Sequence, residues 1–95
     1  LVPLLLLIAN STLAQQVVTG KVTSSDDGSP IPGVNVLEKG TQNGTVTDFD
    51  GNFRISVGQS STLVFSFIGY KSQEVLVGSQ SSMSIRLESD VRALE

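Results

Sequence analysis

Apolar and polar residues alternate with a period of two along most of this chain, the spacing of strands with one buried face. Gln16 to Thr23 places Val18, Gly20 and Val22 on one face. Val34 to Glu38 does the same with Val34 and Val36. Thr62 to Tyr70 is the most apolar run, with Leu63, Phe65 and Phe67 on one face and Val64 and Ile68 on the other. It is expected to be the central strand. Lys71 to Val77 turns Val75 and Val77 one way, and Ser82 to Glu88 turns Met83, Ile85 and Leu87 inward. Gly- and Pro-containing breaks separate the runs at 24–33, 40–44, 58–61 and 78–81. About seven strands with turns every eight to twelve residues predict an all-β sandwich. No segment has a useful helical period.

The stretch Thr45 to Val57, TVTDFDGNFRISV, reads as strand, tight turn, strand. Asp48 suits the first position of a type I turn and Gly51 the fourth, where a positive φ leads into the next strand. Phe53, Ile55 and Val57 then alternate with Asn52, Arg54 and Ser56. Two registers compete. A two-residue turn at Asp50-Gly51 pairs Val46 with Ile55 and puts Val46 inside. A bulged type I turn pairs Val46 with Arg54 and puts Thr45 and Thr47 inside. Asp at the first turn position favours the bulged form, and a one-residue slip would invert the arm. The predicted structural turn residues are Asp48, Asp50 and Gly51. The predicted core is Phe53, Ile55, Phe65, Phe67, Ile85 and Leu87.

Composition narrows the chemistry. The 95 residues suffice for one small domain, with four Phe, one Tyr, no Trp, no Cys and no His. Without Cys there is no disulfide and no thiolate. Without His the commonest general base and metal ligand is missing. The net charge is −3, with charges scattered singly. No basic patch marks a nucleic-acid surface.

The ends read differently from the middle. Residues 1–14, LVPLLLLIANSTLA, are too short to span a bilayer as a helix and end in small and polar residues. They fit the apolar core and cleavage site of a secretory signal peptide without its basic start, cut between Ala14 and Gln15. The other reading is a buried apolar segment. A chain beginning at Leu1 is expected to be a fragment. Residues 15–88 form the expected sandwich, and residues 89–95, SDVRALE, read as a linker.

Candidate chemistry weakens on inspection. Asp48, Asp50 and Asn52 open a calcium-loop pattern, but the sixth position is Phe53 instead of Gly and the twelfth is Gln59 instead of Glu. Two carboxylates at a hairpin tip have no cleft to shift them. The glycines form no phosphate loop, and the serines have no base. No metal or other cofactor is expected, and no catalysis. Lys21, Glu38, Lys39 and Arg86 could guard sheet edges, or an edge could accept a partner strand.

Several segments in order resemble the carboxypeptidase-regulatory-like domain. They are Val18-Thr19-Gly20-Lys21-Val22-Thr23, Gly28-Ser29-Pro30-Ile31-Pro32-Gly33-Val34-Asn35-Val36 and Gly40-Thr41. Gly44-Thr45-Val46-Thr47-Asp48-Phe49-Asp50-Gly51-Asn52-Phe53 and Phe65-Ser66-Phe67-Ile68-Gly69-Tyr70 complete the match. The resemblance spans nearly all of Gln16 to Leu87 and implies a seven-stranded, Greek-key, transthyretin-like sandwich without catalytic residues. The arrangement is similar to the N-terminal extension of SusC/RagA-type TonB-dependent outer membrane transporters. There a signal peptide, this domain, a linker and a TonB box precede plug and barrel. Val91 to Glu95 looks like the lead-in to that box. The resemblance implies a periplasmic accessory domain of a nutrient importer in the outer membrane. Its partners, through the parent, would be the TonB system, a SusD-like surface lipoprotein and a glycan or peptide substrate. The alternative is an accessory or adhesion domain of another envelope protein, such as a peptidase.

Overall fold

Period-two alternation becomes seven strands in the computed structural model, which describes residues 15–90. They are β1 Gln15–Ser24, β2 Asn35–Glu38, β3 Gly44–Val46, β4 Asn52–Gly58, β5 Thr62–Ser66, β6 Gln73–Leu76 and β7 Ser82–Leu87. The expected signal peptide lies outside the described residues, as do residues 91–95 of the expected linker.

The strands form two sheets. One has three strands in the order β4-β1-β7, the other four in the order β3-β2-β5-β6. β1 runs antiparallel to β4, with Gly20 opposite Phe53, and parallel to β7, with Val22 beside Ile85. The parallel pair joins the first strand to the last. β5 lies inside its sheet between β2 and β6.

Alternation sends one face of each sheet into a shared interior. Val18 and Val22 of β1, Phe53, Ile55 and Val57 of β4, and Met83, Ile85 and Leu87 of β7 are buried from one side. Val36, Leu63 and Phe65 meet them from the other. The Phe53 and Phe65 rings contact edge to face at 5.4 Å across the two sheets. Gly20 makes room for this contact: a Cβ there would lie 2.7 Å from the Phe53 ring and against the Met83 carbonyl.

Several sequence expectations change. Phe67 is half-buried and packs against the rim of the core, with its ring 6.1 Å from that of Tyr70. The expected strand through Tyr70 ends at Ser66, because Gly69 at φ 86° and a Tyr70 N–H bond to the Phe67 carbonyl turn the chain. Ile31, in a stretch read as loop, is buried between Pro30 and Pro32.

Thr45 to Val57 departs furthest from the expected hairpin. Its two arms belong to different sheets: β3 pairs with β2 and β4 pairs with β1. Neither predicted register forms, and Val46 lies opposite Asn35. The Asn43-Gly44 corner turns β3 back onto β2, so the Asp48–Gly51 turn becomes a crossover between sheets. Inward parity still follows the bulged alternative, with Thr47 buried and Val46 56% exposed.

Candidate functional site

The crossover turn satisfies itself. Asp48 Oδ1 accepts from the N–H groups of Asp50 and Asn52, both at 2.9 Å. The Gly51 N–H donates to the Asp48 carbonyl at 2.9 Å, and the Asp48 N–H to the Asn52 carbonyl at 2.9 Å. Gly51 holds φ 79°, the left-handed region that glycine adopts without steric cost. It is buried, and its carbonyl accepts from the Val22 N–H at 2.8 Å. A Cβ at Gly51 would lie 2.6 Å from the Val22 carbonyl oxygen. Asp50 is exposed and its side chain makes no hydrogen bond among the described residues. One Asp48 oxygen thus serves the turn's own amides. Among the described residues, no three acidic side chains gather where they could hold a cation.

Beside the turn, Thr47 works as a clamp. Its hydroxyl donates to the Ile31 carbonyl at 2.7 Å and accepts from the Val34 N–H at 2.9 Å. Its backbone N–H donates to the Val34 carbonyl, and its carbonyl accepts from the Gly33 N–H. The segment carrying Ile31 is thereby held over the core. Parity marks Thr47 as inward, and a buried hydroxyl needs partners. That demand is the one sequence signal for the clamp.

A second polar cluster ties the sheets together at Glu38. Its carboxylate accepts from Asn43 Nδ2 at 3.1 Å, from the Gly58 N–H at 3.5 Å and closely from Ser61 Oγ. Asn43 Nδ2 also donates to the Ser56 carbonyl at 2.8 Å. The Ser61 hydroxyl above all, then Asn43 and the Gly58 amide, hold the Glu38 carboxyl below the usual carboxylate range. Ser29, through its hydroxyl and its amide, does the same for exposed Asp27.

The last strand leads onto the turn that follows β5. Lys71 N–H donates to the Glu88 carbonyl at 2.9 Å and Asp90 N–H to the Gly69 carbonyl at 2.8 Å. The Lys71 and Glu88 side chains lie 3.7 Å apart. Two shallow concavities open on the surface. One, about 490 Å³, lies on the outer face of the four-stranded sheet between Leu37, Val46 and Val64. The other, about 320 Å³, is lined by Pro32, Gly33, Thr47, Asp48 and Phe49. Phe49 is 90% exposed and Ile68 78%. In the second concavity the Thr47 hydroxyl and Asp48 Oδ1 are already committed to backbone partners.

Of the residues predicted as edge guards, only Arg86 stands on an edge strand. Lys21 is on central β1, Glu38 ends the interior strand β2, and Lys39 follows it, paired with Glu74 at 3.0 Å. Two facing sheets, a turn that satisfies itself and open contact surfaces define a β-sandwich module. The chain belongs to the CarboxypepD_reg-like domain family, whose profile matches residues 18–95. It is 46% identical over 93 residues to TonB-dependent receptor P3 of Formosa agariphila, a match covering 96% of this chain and 9% of that protein. It is 43% identical over 97 residues to TonB-dependent receptor SusC of Bacteroides thetaiotaomicron, covering 97% of this chain and 10% of that one. The chain therefore spans about a tenth of the length of these relatives. A solved chain of the type II cohesin–X-dockerin complex of Acetivibrio cellulolyticus shares the fold. Its TM-score is 0.58 at 21% identity, over 75% of this chain and 51% of that chain.

Proposed function

We propose that the domain is a non-catalytic, periplasmic accessory module at the N-terminus of a TonB-dependent outer membrane transporter of the SusC/RagA type. The observation that carries this reading is the match to such receptors at 43–46% identity over nearly the whole chain. In this reading residues 1–14 are an export signal, residues 15–88 are the sandwich, and residues 89–95 begin a linker toward a TonB box, plug and barrel. Bonds from the Gly69–Lys71 turn to Glu88 and Asp90 support a firm anchorage where that linker would start. The parent would import glycans or peptides with a SusD-like surface lipoprotein and energy from the TonB system. Asp48, Asp50 and Gly51 serve the turn. Phe53, Ile55, Phe65, Ile85 and Leu87 serve the core, with Phe67 at its rim.

Reading the gene beyond Glu95 tests this directly. A plug followed by many amphipathic strands is the expected result. A stop codon or a zinc-ligand motif of a peptidase there would overturn it. In-frame deletion of 15–88 from the parent should then leave the barrel in the outer membrane and alter growth on the imported solute.

A further inference from the structure

We propose that the exposed edge of β7 accepts, by strand addition, an extended acidic segment of a partner protein. The proposal stands on the edge and the charges around it, whatever protein carries the domain.

A sandwich has four edges, and here three are short or capped at their ends. β3 spans three residues. β6 spans four, and Gln80 Nε2 caps its Leu76 carbonyl at 3.2 Å. β4 is longer but capped toward both ends, which leaves only the Arg54 N–H and carbonyl and the Ser56 N–H turned outward between the caps. The Asn52 N–H and carbonyl are taken by Asp48, the Ser56 carbonyl by Asn43 and the Gly58 N–H by Glu38. β7 is different. The Thr19 N–H donates to the Ser81 carbonyl and the Ser25 N–H to the Leu87 carbonyl, which fixes the ladder to β1. Odd-numbered residues of β7 therefore bond to β1. Ser82, Ser84 and Arg86 turn their N–H and C=O groups outward. Beyond Arg86 the edge closes, since the Glu88 carbonyl accepts from Lys71. Among the described residues no strand pairs with the open stretch. An open edge of this kind is a template for an added strand.

Charge selects the occupant. On the outer face of this sheet the register brings Arg54 beside Thr19, Lys21 beside Ser84 and Arg86 beside Thr23. Arg54, Lys21 and Arg86 so form a diagonal row across β4, β1 and β7. Each step is roughly 8 Å, from strand spacing and rise. All three are exposed and none has an ion pair among the described residues, whereas Lys39 and Lys71 pair with Glu74 and Glu88. The outward residues of the three strands include no Asp or Glu, although the whole chain carries −3. A second copy added edge to edge at β7 would bring two such rows together, which like-charge repulsion opposes. An anionic membrane is a weaker fit, because lipid-binding patches use about four to eight cations. An acidic strand answers both features. Its outward side chains would meet Arg86 and Lys21. Its inward side chains would extend the apolar layer beside Met83 and Ile85, so alternation of acidic and apolar residues is the expected pattern.

The test uses the full 95-residue chain and two synthetic hexapeptides, one alternating Glu with Val and one alternating Lys with Val. Binding is followed by fluorescence anisotropy and amide hydrogen exchange. The Glu/Val peptide should bind, weaken as salt rises, and protect the amides of Ser82, Ser84 and Arg86. Arg86→Glu should weaken binding at least about tenfold without altering the melting temperature, and Lys21→Glu should act in the same direction. Ser84→Pro, which removes an outward N–H that β1 does not use, should abolish binding. Equal binding of the Lys/Val peptide overturns the proposal, as does binding that leaves the edge amides unprotected. So does edge protection that rises with chain concentration in the absence of peptide. Binding to vesicles of phosphatidylcholine and phosphatidylglycerol (3:1) with none to the Glu/Val peptide overturns it too.

Discussion

Replacing Thr47 by valine keeps the side-chain shape and removes one hydroxyl. In the folded domain that hydroxyl is buried, 4% exposed, and bridges the Ile31 carbonyl to the Val34 N–H. Valine leaves both backbone groups without this partner. A buried unpaired donor or acceptor costs about 1–3 kcal/mol, so the pair sets a gross loss of about 2–6 kcal/mol. The added methyl returns about 1 kcal/mol of burial. Some relaxation toward water is expected at the loop, so the net destabilisation should be about 2–4 kcal/mol. A domain of this size is stable by about 5–10 kcal/mol, and each kcal/mol shifts its melting temperature by about 4–8 °C. The loss is therefore large and measurable. Urea and thermal unfolding, followed by far-UV circular dichroism, read it. Two comparisons isolate the hydroxyl. Thr45→Val, two residues away on the same face and only half-buried, should change stability by less than about 0.5–1 kcal/mol. Thr47→Ser keeps the bridge, loses one methyl and should cost about 1 kcal/mol. If Thr47→Val loses less than Thr47→Ser, the clamp does not stabilise the fold and the reasoning fails.

Three further outcomes are expected. Gly51→Val meets both a positive φ and the Val22 carbonyl, so it should cost at least about 2–3 kcal/mol, whereas Asp50→Asn should be silent within about 0.5 kcal/mol; equal melting temperatures would contradict this account of the turn. Gly20→Ala drives a methyl into the Phe53 ring and the Met83 carbonyl, an overpacking expected to cost about 1–3 kcal/mol, and equilibrium unfolding in urea checks it. The Glu38 carboxyl is held below its ordinary value of 4.5 by Ser61, Asn43 and Gly58. Its contribution is therefore present above that pH and lost as pH falls through the lower folded value. Glu38→Gln should be the less stable protein at pH 7 by under about 1 kcal/mol, because solvent screens the partly exposed carboxylate. The gap should close below pH 4.5; a gap that widens on acidification would contradict the assignment.

The longer strands β1, β4, β5 and β7 were legible because each has one buried face, and period-two alternation is the direct record of that. Gly51 was legible for a local reason, since Asp-x-x-Gly turn chemistry acts within four residues. Sheet membership was not. Asn43-Gly44 and Asp48–Gly51 are both good turn signals, and a local signal is silent on which strand the returning chain will pair with. Thr47 supplies the missing information, but through partners 13 and 16 residues away. Ile31 was hidden for the same reason, because its burial comes from that clamp and not from a periodic run.

The parallel pairing of β1 with β7 is the most distant of these effects, and it bears on function. Along the chain, Lys21, Arg54 and Arg86 are single charges more than thirty residues apart, and scattered charges read as ordinary solvated positions. The register of β1 with both neighbours sets them in one diagonal on one face. The same pairing leaves β7 at the sheet margin with a free edge beside that diagonal. A binding surface assembled this way has no motif, because no part of it is continuous in sequence. It also predicts a specific independence. Arg86→Glu and Lys21→Glu change only outward side chains, whereas Thr47→Val acts on the buried loop that carries Ile31, away from the β7 edge. Strand capture and fold stability should therefore respond to separate sets of substitutions.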